Sequence, residues 1–441
     1  MNITPEIHRH AQDLLDFIDS SPSPWHVVDT LARRLDARGY TLLRESDGWS
    51  LKAGGKHYVT RGGSSLIAFQ IGADQLAESG FRLLGAHTDS PGLRIKPKAA
   101  YGDAHLLRLG VEVYGGPILA TFTDRDLSLA GRVFLRTPDG IQARLLRFDS
   151  PLVRLPNLAI HMNRKVNDEG LKLNKQTELP LLLGQTENGQ SPQAQLLDLL
   201  ARRVGCPPGD ILGFELNVYD TQKGGFWGPE NEYLADSQLD NLTSCHAGLS
   251  ALLAMGPTEH TAVCAFFDHE EIGSKSHKGA DGSFLADVLE RIAESQGESR
   301  SGYHRALARS QMISADAAHA HHPNFPNAYE PLHAIRVNGG PALKINVNQR
   351  YATDGPTEAL FMELARRAGV DCQVYVHRSD LGCGSTIGPM IAANLGMPTI
   401  DCGTPLWAMH SIRESAGVID QWSFAKLLSV FLGEAWQLPC I

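Results

Sequence analysis

Short apolar runs alternate with amphipathic helical patterns along most of the chain. Residues 26–38 repeat apolar side chains at helical spacing, and Gly39 follows as a helix stop. The same helical spacing predicts further helices near residues 241–255, 283–296, 356–369, 385–395 and 422–436. It predicts buried strands at residues 66–71, 82–86, 261–267, 311–315 and 398–401. This alternation is typical of a layered α/β fold.

The stretch from about residue 96 to residue 235 has a different pattern. It contains the strand-like runs LLRLGVEVYGG, ILATFT, LSLAGRVFLRT and ARLLRF, and Pro138-Asp139-Gly140 supplies a turn between the last two. We therefore predict a β-rich domain at residues 96–235, inserted between two parts of the α/β domain at residues 1–95 and 236–441.

Charge and cysteine usage restrict the partners and the compartment. With 40 Lys and Arg residues against 49 Asp and Glu residues, the chain has a formal charge of −9. Such a charge gives no general attraction to nucleic acid or to anionic lipid. The sequence has no run of about 18 apolar residues, no basic leader before an apolar run, and no C-x-x-C pair among its 7 cysteines. We expect a cytoplasmic protein with reduced thiols, without nucleic-acid or membrane partners.

Residues that can bind a divalent metal stand at the ends of apolar runs or at the start of a helix. They are His87 and Asp89 in FRLLGAHTDSPG, Asp240 in SQLDNL, Glu270 and Glu271 in TAVCAFFDHEEIGS, Asp316 in QMISADAAHA, and His410 in PTIDCGTPLWAMHSIRE. Taken singly, a histidine is usually structural and a Glu-Glu pair is usually on the surface. However, unpaired carboxylates beside buried strands are costly, and a cation offsets that cost. Because open α/β sheets form sites at the carboxyl ends of their strands, these segments can converge.

The longer motifs around these residues resemble those of the aspartyl aminopeptidase family of co-catalytic dizinc peptidases. They follow the family's order over nearly the whole chain: SPSPWH, AHTDSPGLRIKP, GFELNVYDTQ, LDNL, DHEEIGS, SADAAHAHHPN, GGPALKINVNQRYATDGP, DLGCGSTIGP and MHSIRE. For a bacterial-type member, the resemblance implies a three-layer mixed-sheet zinc-peptidase domain interrupted by a β-rich dimerisation domain. It also implies a homo-oligomer in which dimers assemble into a dodecamer.

The resemblance also implies a set of metal ligands. Asp240 would bridge two zinc ions, with His87 and Asp316 on one ion and Glu271 and His410 on the other. Two imidazoles and three carboxylates suit Zn²⁺, with Co²⁺ or Mn²⁺ as substitutes. Two such ions are neutralised by three carboxylates and one bridging hydroxide, which suits a poorly solvated site.

Four further residues receive predicted roles. Glu270 would be the general base, because the side chains of adjacent residues diverge and Glu271 faces the metal. Asp89 would accept the second ring N–H of His87, or else cap a turn. The resemblance suggests that His161 reaches a neighbouring subunit's active site, where it binds substrate or oxyanion; otherwise it is a surface histidine. Lys344 would bind an acidic P1 side chain, unless it is a solvated strand lysine.

Two other features are not assigned catalytic roles. We interpret His319, His321 and His322 as a turn or scaffold around Asp316, because adjacent side chains point in different directions and a proline follows. Cys383 lies in the glycine-rich LGCGSTIGP without a histidine in a local partner motif, which disfavours a thiol nucleophile.

The predicted activity is therefore a hydrolase that acts on peptide substrates, a zinc metalloaminopeptidase with metal-activated water. A related dizinc carboxypeptidase or deacylase would use the same centre on another substrate. A third reading is a non-catalytic assembly protein that keeps zinc for structure. Glu270 argues against this third reading, because a structural zinc site needs no base.

Overall fold

A computed structural model describes residues 3–434 of the chain, apart from residues 104 and 188. Three predicted features lie outside the described residues: the two ends of the predicted domain (residues 1, 2 and 435–441), the end of the helix predicted at 422–436, and Cys440. The helices are α1 Pro5–Asp19, α2 Pro24–Asp36, α3 Leu76–Ser79, α4 Val166–Glu169, α5 Pro192–Val204, α6 Leu239–Ala254, α7 Phe284–Ser295, α8 Arg300–Arg309, α9 Gly355–Ala368, α10 Ile387–Leu395 and α11 Val418–Gly433.

The strands form three sheets. They are β1 Thr41–Leu43, β2 Lys56–Arg61, β3 Ser65–Gln70, β4 Phe81–His87, β5 Gly92–Asp103, β6 Leu106–Tyr114, β7 Leu127–Thr137, β8 Gly140–Arg147, β9 Leu181–Gln185, β10 Ile211–Asp220, β11 Gly225–Trp227, β12 Tyr233–Asp236, β13 Thr261–Phe267, β14 Gln311–Ala315, β15 Ala318–His319, β16 Ala342–Ile345, β17 Gln373–Val376, β18 Thr399–Gly403, β19 Pro405–Trp407 and β20 Glu414–Gly417. The helices and strands predicted outside the inserted stretch are confirmed, with shifts of a few residues at their ends.

The largest sheet is a nine-stranded mixed sheet in the order β1-β2-β3-β13-β4-β14-β18-β16-β17. Strands β13, β4, β14 and β18 run parallel to one another. Along β4, Leu84 belongs to the core cluster that α1, α2, α6, α9 and α11 share on one face, whereas Leu83 belongs to the cluster of α7, α8 and α10 on the other. This alternation buries both faces of the sheet and confirms the predicted three-layer α/β architecture.

The stretch predicted to be β-rich forms a six-stranded antiparallel sheet in the order β8-β7-β10-β5-β6-β9. Helix α5 closes its core, to which it contributes Leu196 and Leu200. The predicted turn at Pro138-Asp139 joins β7 to β8 as expected. The prediction of a strand for ILATFT is wrong, since Leu119–Phe122 is a 3₁₀ helix. Pro117 precedes this segment and the N–H of Ile118 bonds to the carbonyl of His410, outside the sheet.

The end of the inserted stretch differs from the predicted boundary. The last strand of the six-stranded sheet ends at Asp220, while β11 and β12 join a small sheet in the order β11-β12-β20-β19-β15. Strand β12 pairs directly with β20, which lies far along the sequence. Strands β11 and β12 therefore belong to a sheet completed by strands from the segment predicted to begin at residue 236. That the six-stranded sheet is a separate domain remains a prediction.

Within the described part of the chain, none of the helices combines the length and the apolar character needed to cross a bilayer.

Candidate metal centre

Side chains that can bind a metal meet at the carboxyl edge of three adjacent parallel strands. His87 is the last residue of β4, Asp316 directly follows β14, and Glu270 and Glu271 lie in a 3₁₀ turn soon after β13. Because these strands are neighbours in the order β13-β4-β14, their carboxyl ends bring the side chains together. Asp240 comes from the first turn of α6, which the left-handed Gln238 (φ 59°) precedes.

The five predicted ligands form two groups that share Asp240. In one, Nε2 of His87 lies 3.4 Å from Oδ1 of Asp240 and 3.9 Å from Oδ1 of Asp316. In the other, Nε2 of His410 lies 3.2 Å from Oδ2 of Asp240 and 3.6 Å from Oε2 of Glu271. Each group has its candidate ligand atoms within 4.8 Å of one another. The two oxygens of one carboxylate thus face two separate groups.

These separations suit a bound cation. Ligand atoms about 2 Å from a tetrahedral Zn²⁺ lie about 3.3 Å from one another, close to the distances above. Direct charged hydrogen bonds would be shorter, about 2.7–2.9 Å. In addition, the buried Oδ1 of Asp240 and Oε1 of Glu271 have no hydrogen-bond partner among the described residues. A buried carboxylate oxygen without a partner is costly, so the donor set fits a metal ion.

The charges at this edge are poorly balanced by the protein alone. Burial raises the pKa of Glu271 well above its usual value, with Asp240 adding to the effect, and burial also raises the pKa of Asp316. Burial alone would lower the pKa of His87, but Asp240 and Asp89 outweigh it and raise that pKa well above its usual value. The carboxylates therefore exceed the cationic groups beside them, and divalent cations would restore the balance.

Asp89 supports the centre in a different way from the one predicted. The ring Nδ1 of His87 lies 2.9 Å from the main-chain carbonyl of Asp89 and 3.6 Å from its carboxylate. The carboxylate instead accepts the main-chain N–H groups of Glu270 and Glu271, each at 3.1 Å. Asp89 thus orients His87 through its backbone and both glutamates through its side chain.

Glu414 is a supporting residue that the sequence analysis missed. Its buried carboxylate accepts the N–H of Asp240 at 3.0 Å and the N–H of His410 at 2.8 Å. It therefore links the two segments that carry these ligands. The available signal was its position at the end of MHSIRE, four residues after His410, but a single glutamate there is not distinguishable from a surface residue.

Lys344 is buried beside Asp316, with 2% of its surface exposed. Its Nζ donates to the carbonyl of Ala317 at 3.1 Å and lies 3.7 Å from Oδ2 of Asp316. These contacts make Lys344 a charge partner of Asp316. They do not support the alternative of a solvated strand lysine, and they give no separate support to binding an acidic P1 side chain.

His161 is not brought to this centre within one chain. It lies exposed in the loop between β8 and β9, beside the exposed apolar residues Leu158, Ile160 and Met162. Its predicted role in a neighbouring subunit therefore stays a prediction.

The histidines and the cysteine that received no catalytic role make structural contacts with other parts of the chain. His319 ends the short strand β15, and burial lowers its pKa to about 4. The main-chain N–H of His321 donates to the carbonyl of Ile335, and the centre of its ring lies 5.1 Å from that of Tyr329. Cys383 packs against the small cluster that contains Tyr351 and Tyr375. These contacts are structural, and the interpretation of a turn or scaffold around Asp316 stays a prediction.

The sequence model described as aminopeptidase I zinc metalloprotease (M18) matches residues 17–432. The chain belongs to the M18 family. A probable M18 family aminopeptidase 2 from Pseudomonas paraeruginosa is 48% identical over 431 residues, 97% of this chain and 99% of that protein. A similar relative from Azotobacter vinelandii is 46% identical and covers 95% of this chain and 97% of its own. This M18 protein is thus a zinc metalloaminopeptidase.

Solved structures agree with this assignment. The complex of Ape4 with Nbr1, seen by cryo-EM, contains a chain with a TM-score of 0.93 and 38% identity, covering 97% of this chain and 86% of that one. The mApe1 dodecamer of S. cerevisiae has a TM-score of 0.83 and 30% identity, with 96% of this chain and 95% of that one covered.

Proposed function

We propose that each chain binds two Zn²⁺ ions, which Co²⁺ or Mn²⁺ can replace. Asp240 bridges them, His87 and Asp316 complete one site, and Glu271 and His410 complete the other. The observation that carries this proposal is the shared carboxylate, whose two oxygens face two separate histidines at 3.4 and 3.2 Å. When bound there, such ions would supply Lewis-acid chemistry that polarises the scissile carbonyl and lowers the pKa of the attacking water.

Glu270 acts as the general base in this proposal. It forms a group with His87 and Glu271, with ligand atoms within 4.8 Å of one another. Burial raises the pKa of Glu270 to about 8, whereas His87 and the proposed metal ions favour its ionised form. Its carboxylate can then accept the proton of the attacking water and return it to the leaving amine. The N–H bond to Asp89 fixes the turn from which Glu270 projects.

The proposed substrates are peptides with a free N-terminal amine, and acidic residues are the preferred N-terminal residues. We test both points with nitroanilides of Asp, Glu, Leu and Lys, each with a free and an acetylated amine. The free acidic substrates should have the highest kcat/KM, acetylation should abolish cleavage, and the purified protein should contain about two divalent metals per chain. Efficient cleavage of acetylated substrates would favour the dizinc deacylase alternative, and full activity after complete metal removal would reject the dinuclear mechanism.

We also propose that residues 96–235 form a dimerisation domain, that the dimers assemble into a dodecamer, and that the protein works in the cytoplasm. The named dodecamer among its structural relatives supports the assembly, and the exposed apolar loop around His161 offers a surface for it. The described cysteines are free thiols, which suits a reducing compartment.

His161 would then contact substrate in the active site of a partner subunit. To test this, subunits of His161→Ala and of Glu270→Gln, each nearly inactive alone, are dissociated, mixed and reassembled. A mixed dimer contains one site with both native groups, so shared sites predict recovered activity. Failure to recover activity, in particles shown by mass spectrometry to be mixed, removes His161 from the neighbouring site.

A further inference from the structure

The segment Tyr114–Ile118, with the sequence YGGPI, leaves the six-stranded sheet and runs along the proposed metal centre. Tyr114 is the last residue of β6, and its hydroxyl donates to Oδ2 of Asp89 at 2.6 Å. The same carboxylate accepts the N–H groups of Glu270 and Glu271. The tyrosine therefore orients the carboxylate that fixes the turn of both glutamates.

The sheet holds Tyr114 firmly in this position. The side chain is buried, and the guanidinium of Arg94 on β5 stacks 3.6 Å from the centre of its ring. Strands β5 and β6 pair in this region, with Arg94 opposite Glu112 and Gly92 opposite Tyr114. A cation stacked on an aromatic face stabilises the ring's placement. The hydroxyl thus reaches Asp89 from a rigid support.

Gly115 passes so close to Glu271 that a larger residue would force Glu271 or its turn to shift by a few tenths of an ångström. Its φ is +67°, and a Cβ built on it would lie 3.2 Å from Cβ and 3.3 Å from the carbonyl oxygen of Glu271. Both the left-handed backbone and the close approach favour glycine here. The backbone of this segment therefore forms one wall against the turn that carries Glu271.

His410 is held by the same segment at two points. Its ring Nδ1 lies 3.1 Å from the carbonyl of Gly116, and its own carbonyl accepts the N–H of Ile118 at 2.9 Å. A carbonyl can only accept, so Nδ1 carries the proton and Nε2 is left free as a metal ligand. The segment therefore selects both the tautomer and the orientation of His410.

We propose that Tyr114–Ile118 is a positioning element through which the six-stranded sheet completes the metal centre. Tyr114 acts through Asp89 on the two glutamates, Gly115 packs against Glu271, and Gly116 and Ile118 fix His410. The proposal rests on the dinuclear site proposed above. In addition to any role in assembly, the six-stranded sheet is then needed for metal binding and turnover within each chain.

The first test compares Tyr114→Phe with Tyr58→Phe. Tyr58, on β2 of the nine-stranded sheet, is a matched control. It is also buried, and its hydroxyl also donates to an aspartate, Oδ1 of Asp36 at 2.9 Å. Both variants lose one Tyr–Asp hydrogen bond. Tyr114→Phe should lower kcat about 10- to 100-fold with KM nearly unchanged, as for other supports of metal ligands. Tyr58→Phe should leave kcat and KM within about twofold of the wild-type values.

The second test compares Gly115→Ala with Gly205→Ala in the intact protein. Gly205 has a similar φ of +71° at the end of α5, but a Cβ there meets nothing within 4 Å. Both substitutions carry the cost of a left-handed alanine, so their difference reports the contact with Glu271. In titrations of metal-free protein with Zn²⁺ against a competing chelator, Gly115→Ala should weaken the binding of one of the two ions about tenfold or more. Gly205→Ala should bind both ions as the wild type does.

These measurements distinguish failure of the positioning element from failure of the dinuclear site. If wild-type protein binds no metal, the dinuclear site itself is wrong. If the wild type binds two ions, and Tyr114→Phe and Gly115→Ala match their controls in kcat and Zn²⁺ affinity, the positioning element is rejected. Circular dichroism and melting temperatures identify any misfolded variant. Tyr114→Phe keeps the ring and its packing, so it remains informative if Gly115→Ala does not fold.

Discussion

Two buried carboxylates in this M18 aminopeptidase have the same hydrogen-bond pattern and hold very different parts of the molecule. Glu414 accepts the N–H groups of Asp240 and His410, and Asp420 accepts those of Asn338 and Gly340 at 2.5 and 2.7 Å. Burial raises the pKa of each carboxyl to about 8. The first holds two proposed metal ligands, whereas the second holds a loop. The function of such a carboxylate therefore depends on the backbone that it holds.

The surroundings of the two carboxylates differ in how well their polar atoms are satisfied. Near Glu414, Oδ1 of Asp240 and Oε1 of Glu271 are buried without a hydrogen-bond partner among the described residues. Near Asp420, Asn338 uses its side chain as well, donating to the carbonyl of Glu232 and accepting the N–H of Ile419. The protein completes its own hydrogen bonds at the loop. At the proposed metal centre, the two oxygens named above lack such a partner among the described residues, which suits a cation site.

The largest expected effect tests the division of roles within the metal centre. Glu270→Gln should retain both metals and lose about three or more orders of magnitude in kcat, because an amide cannot accept the water proton. Glu271→Gln should instead lose metal, since an amide is a poor replacement for a carboxylate ligand. Metal analysis and steady-state kinetics on both variants measure this. Identical behaviour of the two variants would contradict the assignment of base and ligand to neighbouring residues.

An intermediate effect is expected from the comparison of Glu414→Gln with Asp420→Asn. Each amide keeps one acceptor oxygen and turns an NH₂ group toward the second main-chain N–H. Glu414→Gln should lower Zn²⁺ affinity or kcat about 10- to 100-fold, because it loosens Asp240 or His410. Asp420→Asn should leave both quantities within about twofold in the folded protein.

Chelator-competition titrations and kcat at saturating substrate decide between these outcomes. Equal losses in both variants would show that Glu414 acts only on general stability. Unchanged metal affinity and kcat in Glu414→Gln would show that its two hydrogen bonds are not needed to hold the ligands.

The sequence predicts the parts of this centre that depend on strand order. Apolar runs identify the buried strands, and the candidate metal ligands after them meet because parallel strands end at one edge. Glu414 and Tyr114 were not predictable in this way, since their roles come from contacts with residues remote in the chain. Likewise, the sequence places Asp89 on the turn after β4, but it does not decide which of its oxygens faces His87. That choice depends on the packing of the turn against β13 and β6.

The smallest expected effect concerns the pH dependence of stability at Asp420. Its pKa is raised by burial from an ordinary 3.8 to about 8 in the folded protein, although the two N–H groups oppose the shift. Between these values the folded state binds more protons than the unfolded state, so stability falls as pH rises from about 4 to about 8. Asp420→Asn has no such group. Any deficit in its melting temperature relative to wild type should therefore shrink by about 2 °C or more between pH 5 and pH 8, or reverse. Thermal melts of both proteins at matched ionic strength measure the difference, in which the other titrating groups cancel. A deficit that widens with pH would mean that the N–H groups outweigh burial and keep Asp420 ionised.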